Sequence, residues 1–173
     1  MVDNPFSKYK NKLFIDWGRA AVRWYQQATN EKIITRILNT DNHIFPGYEQ
    51  VILSYSELEN IINNSAEYMN WHTALTSINA IYAITDCSNG KIYIGSSYNK
   101  AGILGRWTDY IQTKHGGNKG LIDRLETNSK AYIHFQYTIL KVLPRDITAI
   151  EAVEIEQLYK RKFKTIEFGY NNN

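Results

Sequence analysis

From residue 80 onward the apolar and polar positions resolve into short, readable elements. Ile81-Tyr82-Ala83-Ile84 and Lys91-Ile92-Tyr93-Ile94 are β-branched and aromatic runs, separated by Asp86-Cys87-Ser88-Asn89-Gly90. The Asn-Gly pair between two such runs predicts a β-hairpin. A two-residue Asn89-Gly90 turn would set Tyr82 opposite Ser97, Ile84 opposite Gly95 and Asp86 opposite Tyr93. Strand alternation then brings Tyr82 and Tyr93 out on one face, with open space beside them at Gly95. Ile103, Leu104, Trp107, Tyr110 and Ile111 recur at three- and four-residue spacing, which predicts a helix over about 102–113 with Arg106 at the edge of its buried stripe. His115-Gly116-Gly117-Asn118 interrupts the pattern, and Asn118 can cap a second helix reaching about Leu125. Ala131 to Leu143 reads as a strand.

Thr148 and Glu151 form a Thr-x-x-Glu capping box that opens a last helix running to about Lys162. Ala149, Ala152, Val153, Tyr159 and Phe163 make its apolar stripe, and Glu156 falls in the middle of that stripe. An ionised carboxylate on a core-facing stripe costs several kcal/mol unless a cation or hydrogen-bond donors meet it. Two readings satisfy that need: an ion pair with Arg106 or a lysine, or a metal ion. Glu151 and Glu154 fit capping and solvent-facing positions.

Residues 1–78 are expected to form a small α+β unit of their own. Leu13–Trp17, Lys32–Leu38 and Gln50–Tyr55 read as strands, while Arg19–Ala28 is ambiguous between strand and helix. Ser56 with Glu59 predicts the start of a helix over Leu58–Ile62, and Ser65 can cap another reaching Leu75. No Gly-, Pro- or Ser-rich linker separates this part from the hairpin region near Ser77, so the two parts are expected to pack together.

Composition narrows the function. A chain of 173 residues with 43% hydrophobic and 21% charged residues is globular in balance. The single cysteine, Cys87, excludes an internal disulfide and any cluster of thiolate ligands. The apolar runs are far shorter than a bilayer span, and the start lacks the basic-then-apolar layout of a signal peptide, so a cytoplasmic protein is expected. The net charge of +3 is unevenly spread. Residues 1–78 hold seven basic and eight acidic residues, whereas residues 79–173 hold thirteen and nine. A basic C-terminal part suits a polyanionic partner, and equally a solvated surface. No Gly-rich phosphate loop followed by Lys, and no Ser-His-Asp or Cys-His arrangement, stands out.

Taken together, Ala80-Ile81-Tyr82, Tyr93-Ile94-Gly95, Arg106-Trp107, Tyr110, Glu156 and Gly169-Tyr170-Asn171 resemble the GIY-YIG nuclease superfamily. This is the fold of certain homing endonucleases, some restriction enzymes and the N-terminal nuclease domain of a bacterial excision-repair subunit. The resemblance covers about residues 79–173, and Ala80 stands where the family usually has Gly. Residues 1–78 are similar only to a segment that precedes such a domain in some uncharacterised bacterial proteins, and are a candidate substrate-recognition or partner-binding module. The resemblance implies an α+β fold with a small central antiparallel sheet flanked by helices, and a metal-dependent endonuclease acting on DNA, with RNA left open. A catalytically silent domain that binds nucleic acid or protein on the same fold is the alternative. No membrane partner is expected, and oligomeric state stays open.

The resemblance also implies roles. Glu156 would be the metal ligand, holding one Mg²⁺, with Mn²⁺ able to substitute, because no second carboxylate joins it. Arg106 would present its fork of donors to phosphate oxygens. Tyr82 is the first choice for general base and Tyr93 would bind phosphate or water, with Tyr110 relaying the proton. A phenol's ordinary pKa of about 10 must then be lowered by nearby positive charge, from Arg106, the metal or Lys91. Asn171 would position the Glu156 helix or touch a phosphate. Gly95, Ser96, Lys91 and the loop residues His115, Asn118 and Lys119 are the expected substrate contacts, the loop through amides free to approach an anion. Outside the resemblance, Trp17, Arg19, Arg23 and Trp24 could add a basic-aromatic face, although a core or domain-packing role is the stronger expectation for the tryptophans.

Overall fold

The structure, a computed structural model, describes residues 13–16, 31–37 and 44–173. The chain divides into two compact units, Met1–His43 and Ile44–Asn173. In the first, strands β1 (Leu13–Ile15) and β2 (Ile34–Ile37) pair antiparallel. Trp17, Arg19, Arg23 and Trp24, and with them the ambiguous stretch 19–28, lie outside the described residues.

The second unit is built on a four-stranded antiparallel sheet. Its strands are β3 (Ile52–Ser54), β4 (Asn79–Asp86), β5 (Lys91–Ser97) and β6 (Phe135–Leu143), in the order β3-β6-β4-β5. Its helices are α1 (Tyr55–Asn63), α2 (Met69–Ser77), α3 (Gly102–Thr113), α4 (Lys119–Thr127) and α5 (Ala149–Phe163). The expected boundary near residue 78 falls inside this unit. Residues 44–78 contribute an edge strand to the sheet, and Leu58, Ile61, Trp71 and Leu75 share one core with Tyr82, Ile84 and Trp107. Continuous burial joins them more strongly than any change in composition could divide them.

Side-chain alternation splits the sheet into two faces. Ala80, Tyr82, Ile84 and Tyr93 point into the larger core, against α1 to α3. Ile81, Ala83 and Ile94 point the other way, against Ala152, Ile155 and Tyr159 of α5. Each large side chain buried this way contributes roughly 1.5–3 kcal/mol. β5 is an edge strand, so the two faces meet around it.

Local chemistry departs from expectation in four places. The hairpin closes two residues earlier than an Asn-Gly turn would require: Asp86 pairs with Lys91, Ile84 with Tyr93 and Tyr82 with Gly95. The reason is Asp86, whose main-chain carbonyl accepts from the amides of Asn89 and Gly90 and whose carboxylate accepts from Ser88, folding four residues into the loop with Gly90 at φ +75°. A shift of two residues preserves the faces, and Tyr82 and Tyr93 still emerge together. The capping box of α1 is Ser54 with Glu57, not Ser56 with Glu59. α2 starts at Met69 after Tyr68, without a side-chain cap from Ser65. Before β6, residues 131–134 form a 3-10 turn. α3 and the Thr148–Glu151 box of α5 form as the pattern predicts, although Val153 and Phe163 of the expected apolar stripe are exposed.

Candidate active site

Tyr82 stands in the middle of β4 and is fully buried. Its hydroxyl lies 3.0 Å from that of Tyr110, and Arg106 Nε donates to it at 3.1 Å. Tyr110 Oη accepts from Asn118 Nδ2 at 2.6 Å and from Arg106 Nη2 at 3.3 Å. Two donors fill the lone pairs of Tyr110, so its own proton is the one shared with Tyr82. Tyr82 Oη therefore faces two donors, Tyr110 and Arg106, which is the arrangement that stabilises a phenolate.

Arg106 and Tyr110 are one turn apart on α3, which places the guanidinium 4.8 Å from the Tyr110 ring centroid and within reach of Tyr82 at once. With Nε and Nη2 turned to the tyrosines, Nη1 makes a looser ion pair with Asp109 at 3.6 Å, and Asp109 is more than half exposed. A phosphate oxygen can replace such a partner. The fork expected to grip phosphate is thus partly spent on holding the tyrosines.

Asn118 occupies the cap position of α4, but its side chain makes no cap bond. Its Oδ1 instead accepts from the Tyr93 hydroxyl at 2.7 Å while its Nδ2 donates to Tyr110 and to the His115 carbonyl. The amide bridges Tyr93 of β5 to the Tyr110–Tyr82 pair. The loop amides expected to be free for an anion are spent locally. Gly116 N donates to Thr113 Oγ1, Gly117 N to His115 Nδ1 and Asn118 N to the His115 carbonyl. His115 therefore closes the loop, and Lys119, the first residue of α4, is an exposed cation beside it.

Glu156 projects from α5 around the edge of β5. Its Oε2 accepts a very short hydrogen bond from Ser96 Oγ, and its Oε1 lies 2.7 Å from Lys160 Nζ. Of the two readings of this carboxylate, its ion-pair partner is a lysine one turn along the same helix, and not Arg106. Sequence reasoning did not single out Lys160, although Glu-x-x-x-Lys is a helical ion-pair spacing that signals it. The same carboxylate suits a single hard cation: each of its oxygens has acceptor capacity beyond one partner, and a water- and phosphate-rich coordination asks little else of the protein. Among the described residues no group of three or more His, Cys, Asp or Glu is placed to hold a metal, so a protein-only cage is not the fit.

Asn171 is anchored and not frayed. Its side chain accepts from Ile94 N at 2.9 Å and donates to Ile94 O at 2.8 Å, stitching the C-terminal segment to β5 between Tyr93 and Gly95. With one bond at each polar end it positions the strand, and it is only 4% exposed. Lys91 is also displaced from the expected site. It sits at the hairpin tip with Nζ 5.8 Å from the Tyr170 ring centroid, in a separate depression with Arg124 and Asn89.

Tyr82, Tyr93, Ser96, Arg106 and Glu156 line one cleft of about 440 Å³, with Tyr98 and Lys160. Tyr93, Glu156 and Lys160 also line an adjoining depression of about 380 Å³ with Gly117, Asn118 and Lys119. The site thus continues from Arg106 past the tyrosines to Lys119.

Electrostatics in the resting site oppose an ionised tyrosine. Burial raises Tyr82 above the ordinary phenol value, and Arg106 with the Tyr110 hydrogen bond offsets only part of that. Burial likewise raises Tyr93 and Tyr110. Burial works against the charge of Arg106, but the tyrosine oxygens around it outweigh that and hold the guanidinium above its usual value. The lowering of Tyr82 expected from nearby positive charge is therefore not present in the protein alone.

Residues 78–171 match the family model described as the GIY-YIG catalytic domain. No curated protein matches the chain. Two solved structures are similar to it. A mutant of the catalytic domain of intron endonuclease I-TevI shows 20% identity over 56% of this chain and 94% of that one, with a TM-score of 0.45. The catalytic domain of homing endonuclease I-TevI shows 22% identity over 54% of this chain and 96% of that one, with a TM-score of 0.41.

Proposed function

The chain belongs to the GIY-YIG family, and from that premise we propose that it is a metal-dependent endonuclease hydrolysing DNA phosphodiester bonds. The observation that carries the reading is convergence: Tyr93, Arg106 and Glu156, from separate elements, line one open cleft, with the fully buried Tyr82 beneath it. Phosphodiester hydrolysis needs a base for water, donors for the charge that builds on phosphorus, and help for the departing oxygen. Tyr82, in the fraction that has lost its own proton to solvent, is a phenolate held by two donors and takes the proton of the attacking water. Tyr110 and Arg106 hold that oxygen in place, Asn118 fixes Tyr110 in turn, and Tyr93, its proton committed to Asn118 Oδ1, offers its lone pairs toward water. Arg106 exchanges Asp109 for a phosphate oxygen. Glu156 would hold Mg²⁺ or Mn²⁺, which when bound supplies positive charge to the phosphate. Lys119 extends the cationic lining along the strand path. The Met1–His43 unit lies outside the matched domain and is the candidate for substrate recognition or partner binding. The cytoplasm is the expected compartment; among the described residues no helix is long and apolar enough to cross a membrane.

Cleavage of supercoiled plasmid by the parent and by Glu156→Ala tests this directly. The parent should nick with Mg²⁺ or Mn²⁺ and stop in EDTA, and Glu156→Ala should be inactive while folded and still able to bind DNA. Salt-sensitive DNA binding with no cleavage in either metal would identify a silent binding domain instead. Cleavage by Glu156→Ala at the parent rate would remove Glu156 from the reaction.

A further inference from the structure

Lys160 is only 3% exposed, and its ammonium has three partners: Glu156 Oε1 at 2.7 Å, the Asn173 main-chain oxygen at 3.0 Å and Asn173 Oδ1 at 3.4 Å. Three donors meet three acceptors, so this lysine is not held in reserve for a substrate. It lines the cleft at the point where the adjoining depression begins. We propose that Lys160 is a resident counter-cation for the Glu156 carboxylate, and that it makes divalent-cation binding depend on the arrival of a substrate phosphate.

The inference is one of charge balance and rests on the nuclease reading above. Within the cleft Arg106 and Lys160 face Asp109 and Glu156, and the cation nearest the Glu156 carboxylate is already Lys160, at 2.7 Å. A buried ammonium persists only when paired, and here the pair is closed by Asn173 on one side while Ser96 takes the other carboxylate oxygen. A divalent ion sharing that carboxylate would lie a few ångströms from the ammonium, where like charges repel strongly in a partly desolvated cleft. A phosphodiester entering beside Arg106 adds the negative charge that offsets this repulsion. Cation and nucleic acid therefore bind each other's complex more tightly than the free protein, by the same factor in both directions.

Mn²⁺ binding to the full chain, followed by electron paramagnetic resonance, provides a readout separate from cleavage. Lys160→Met should bind Mn²⁺ about tenfold more tightly than the parent without DNA. Lys160→Gln, which keeps an amide donor for Glu156 and Asn173, should show the same tightening even if the Met variant folds poorly. Anisotropy of a labelled phosphorothioate duplex, at constant ionic strength, should show Mn²⁺ strengthening DNA binding about tenfold in the parent and much less in Lys160→Gln. Mn²⁺ affinity unchanged or weakened in the folded Gln variant would overturn the proposal, leaving Lys160 a mere positioning residue. If Glu156→Ala loses both Mn²⁺ and cleavage while Lys160→Gln behaves like the parent, this inference alone fails. Should Glu156→Ala bind Mn²⁺ as the parent does, the metal reading itself fails and takes this one with it.

Discussion

Gly95 lies directly across the antiparallel pair from Tyr82, and the missing side chain leaves the room that the phenol occupies. A Cβ at residue 95 would sit 2.5 Å from Tyr82 Oη and 2.9 Å from Tyr93 Cε1. Both contacts are with rings packed in the core, so neither can swing away cheaply. Gly95→Ala should therefore cost about 1–3 kcal/mol of stability through overpacking. By moving the tyrosine hydroxyls it should lower turnover roughly a hundredfold. Thermal melting and cleavage rates check the two effects separately; normal turnover in the folded variant would show that the tyrosine positions do not matter.

Burial holds Tyr82 as a neutral phenol, with Arg106 pulling the other way. A base whose pKa lies above the assay range is ionised tenfold more for each unit of pH. Turnover by the parent should accordingly climb with pH between about 7 and 9, with a slope near one on a logarithmic scale. Tyr82→Phe should be lower by about two orders of magnitude and lose that slope. A flat parent profile together with an active Phe variant would assign the base elsewhere.

Asn118 spends its amide on Tyr93, Tyr110 and the His115 carbonyl. Asn118→Ala takes the acceptor from the Tyr93 hydroxyl and one donor from Tyr110, in a half-buried place, at a cost of about 1–3 kcal/mol. If the bridge orients the phenols, cleavage should drop at least tenfold, and more in maximal rate than in DNA affinity. Single-turnover kinetics with excess enzyme distinguish the two.

Asp86 is fully buried beneath the hairpin, where it accepts from Arg124 Nε at 2.7 Å and from the Tyr170 hydroxyl at 3.0 Å. Burial pushes its carboxyl up, but hydrogen bonds from Ser88 and Arg124 outweigh that and leave it below the ordinary Asp value. A carboxyl depressed in the folded state stabilises above its unfolded pKa, and that contribution disappears as pH falls through the folded one. Asp86→Asn should melt lower at neutral pH by the equivalent of about 3 kcal/mol, the scale for leaving one member of a buried pair alone. The gap between parent and variant should narrow as pH falls below the ordinary Asp value of about 4. Melting curves across pH provide the check; a gap that does not change would mean the carboxylate charge contributes nothing.

Periodicity alone placed several parts of this protein. Alternation along β4 and β5 set Tyr82 and Tyr93 on one face, and the period of two is why that survived an error of two residues in the register. The spacing of Ile103, Trp107, Tyr110 and Ile111 located α3, and the Thr148–Glu151 box located the start of α5. An acid inside an apolar stripe marked Glu156. These are local properties: side-chain period, cap chemistry and the cost of burying charge act over a few residues and can be read in a line.

Partners and boundaries lay beyond that range. The four-residue hairpin loop depends on Asp86, which is itself held by Arg124 and Tyr170 from distant segments. Asn118 has the sequence position of a cap and instead joins the tyrosines, because the fold brings its side chain to Tyr93 and turns it from its own helix amides. The sequence groups residues 44–78 with the first 43 in one unit, yet β3 completes the sheet of the second unit by pairing with β6 from the far end of the chain. Where β4, β5, α3 and α5 form, and which faces of β4, β5 and α3 are buried, was determined in the sequence itself. Which polar groups share the cleft was decided only in the tertiary structure, since a hydrogen bond or ion pair has short reach and the fold alone brings its two ends together.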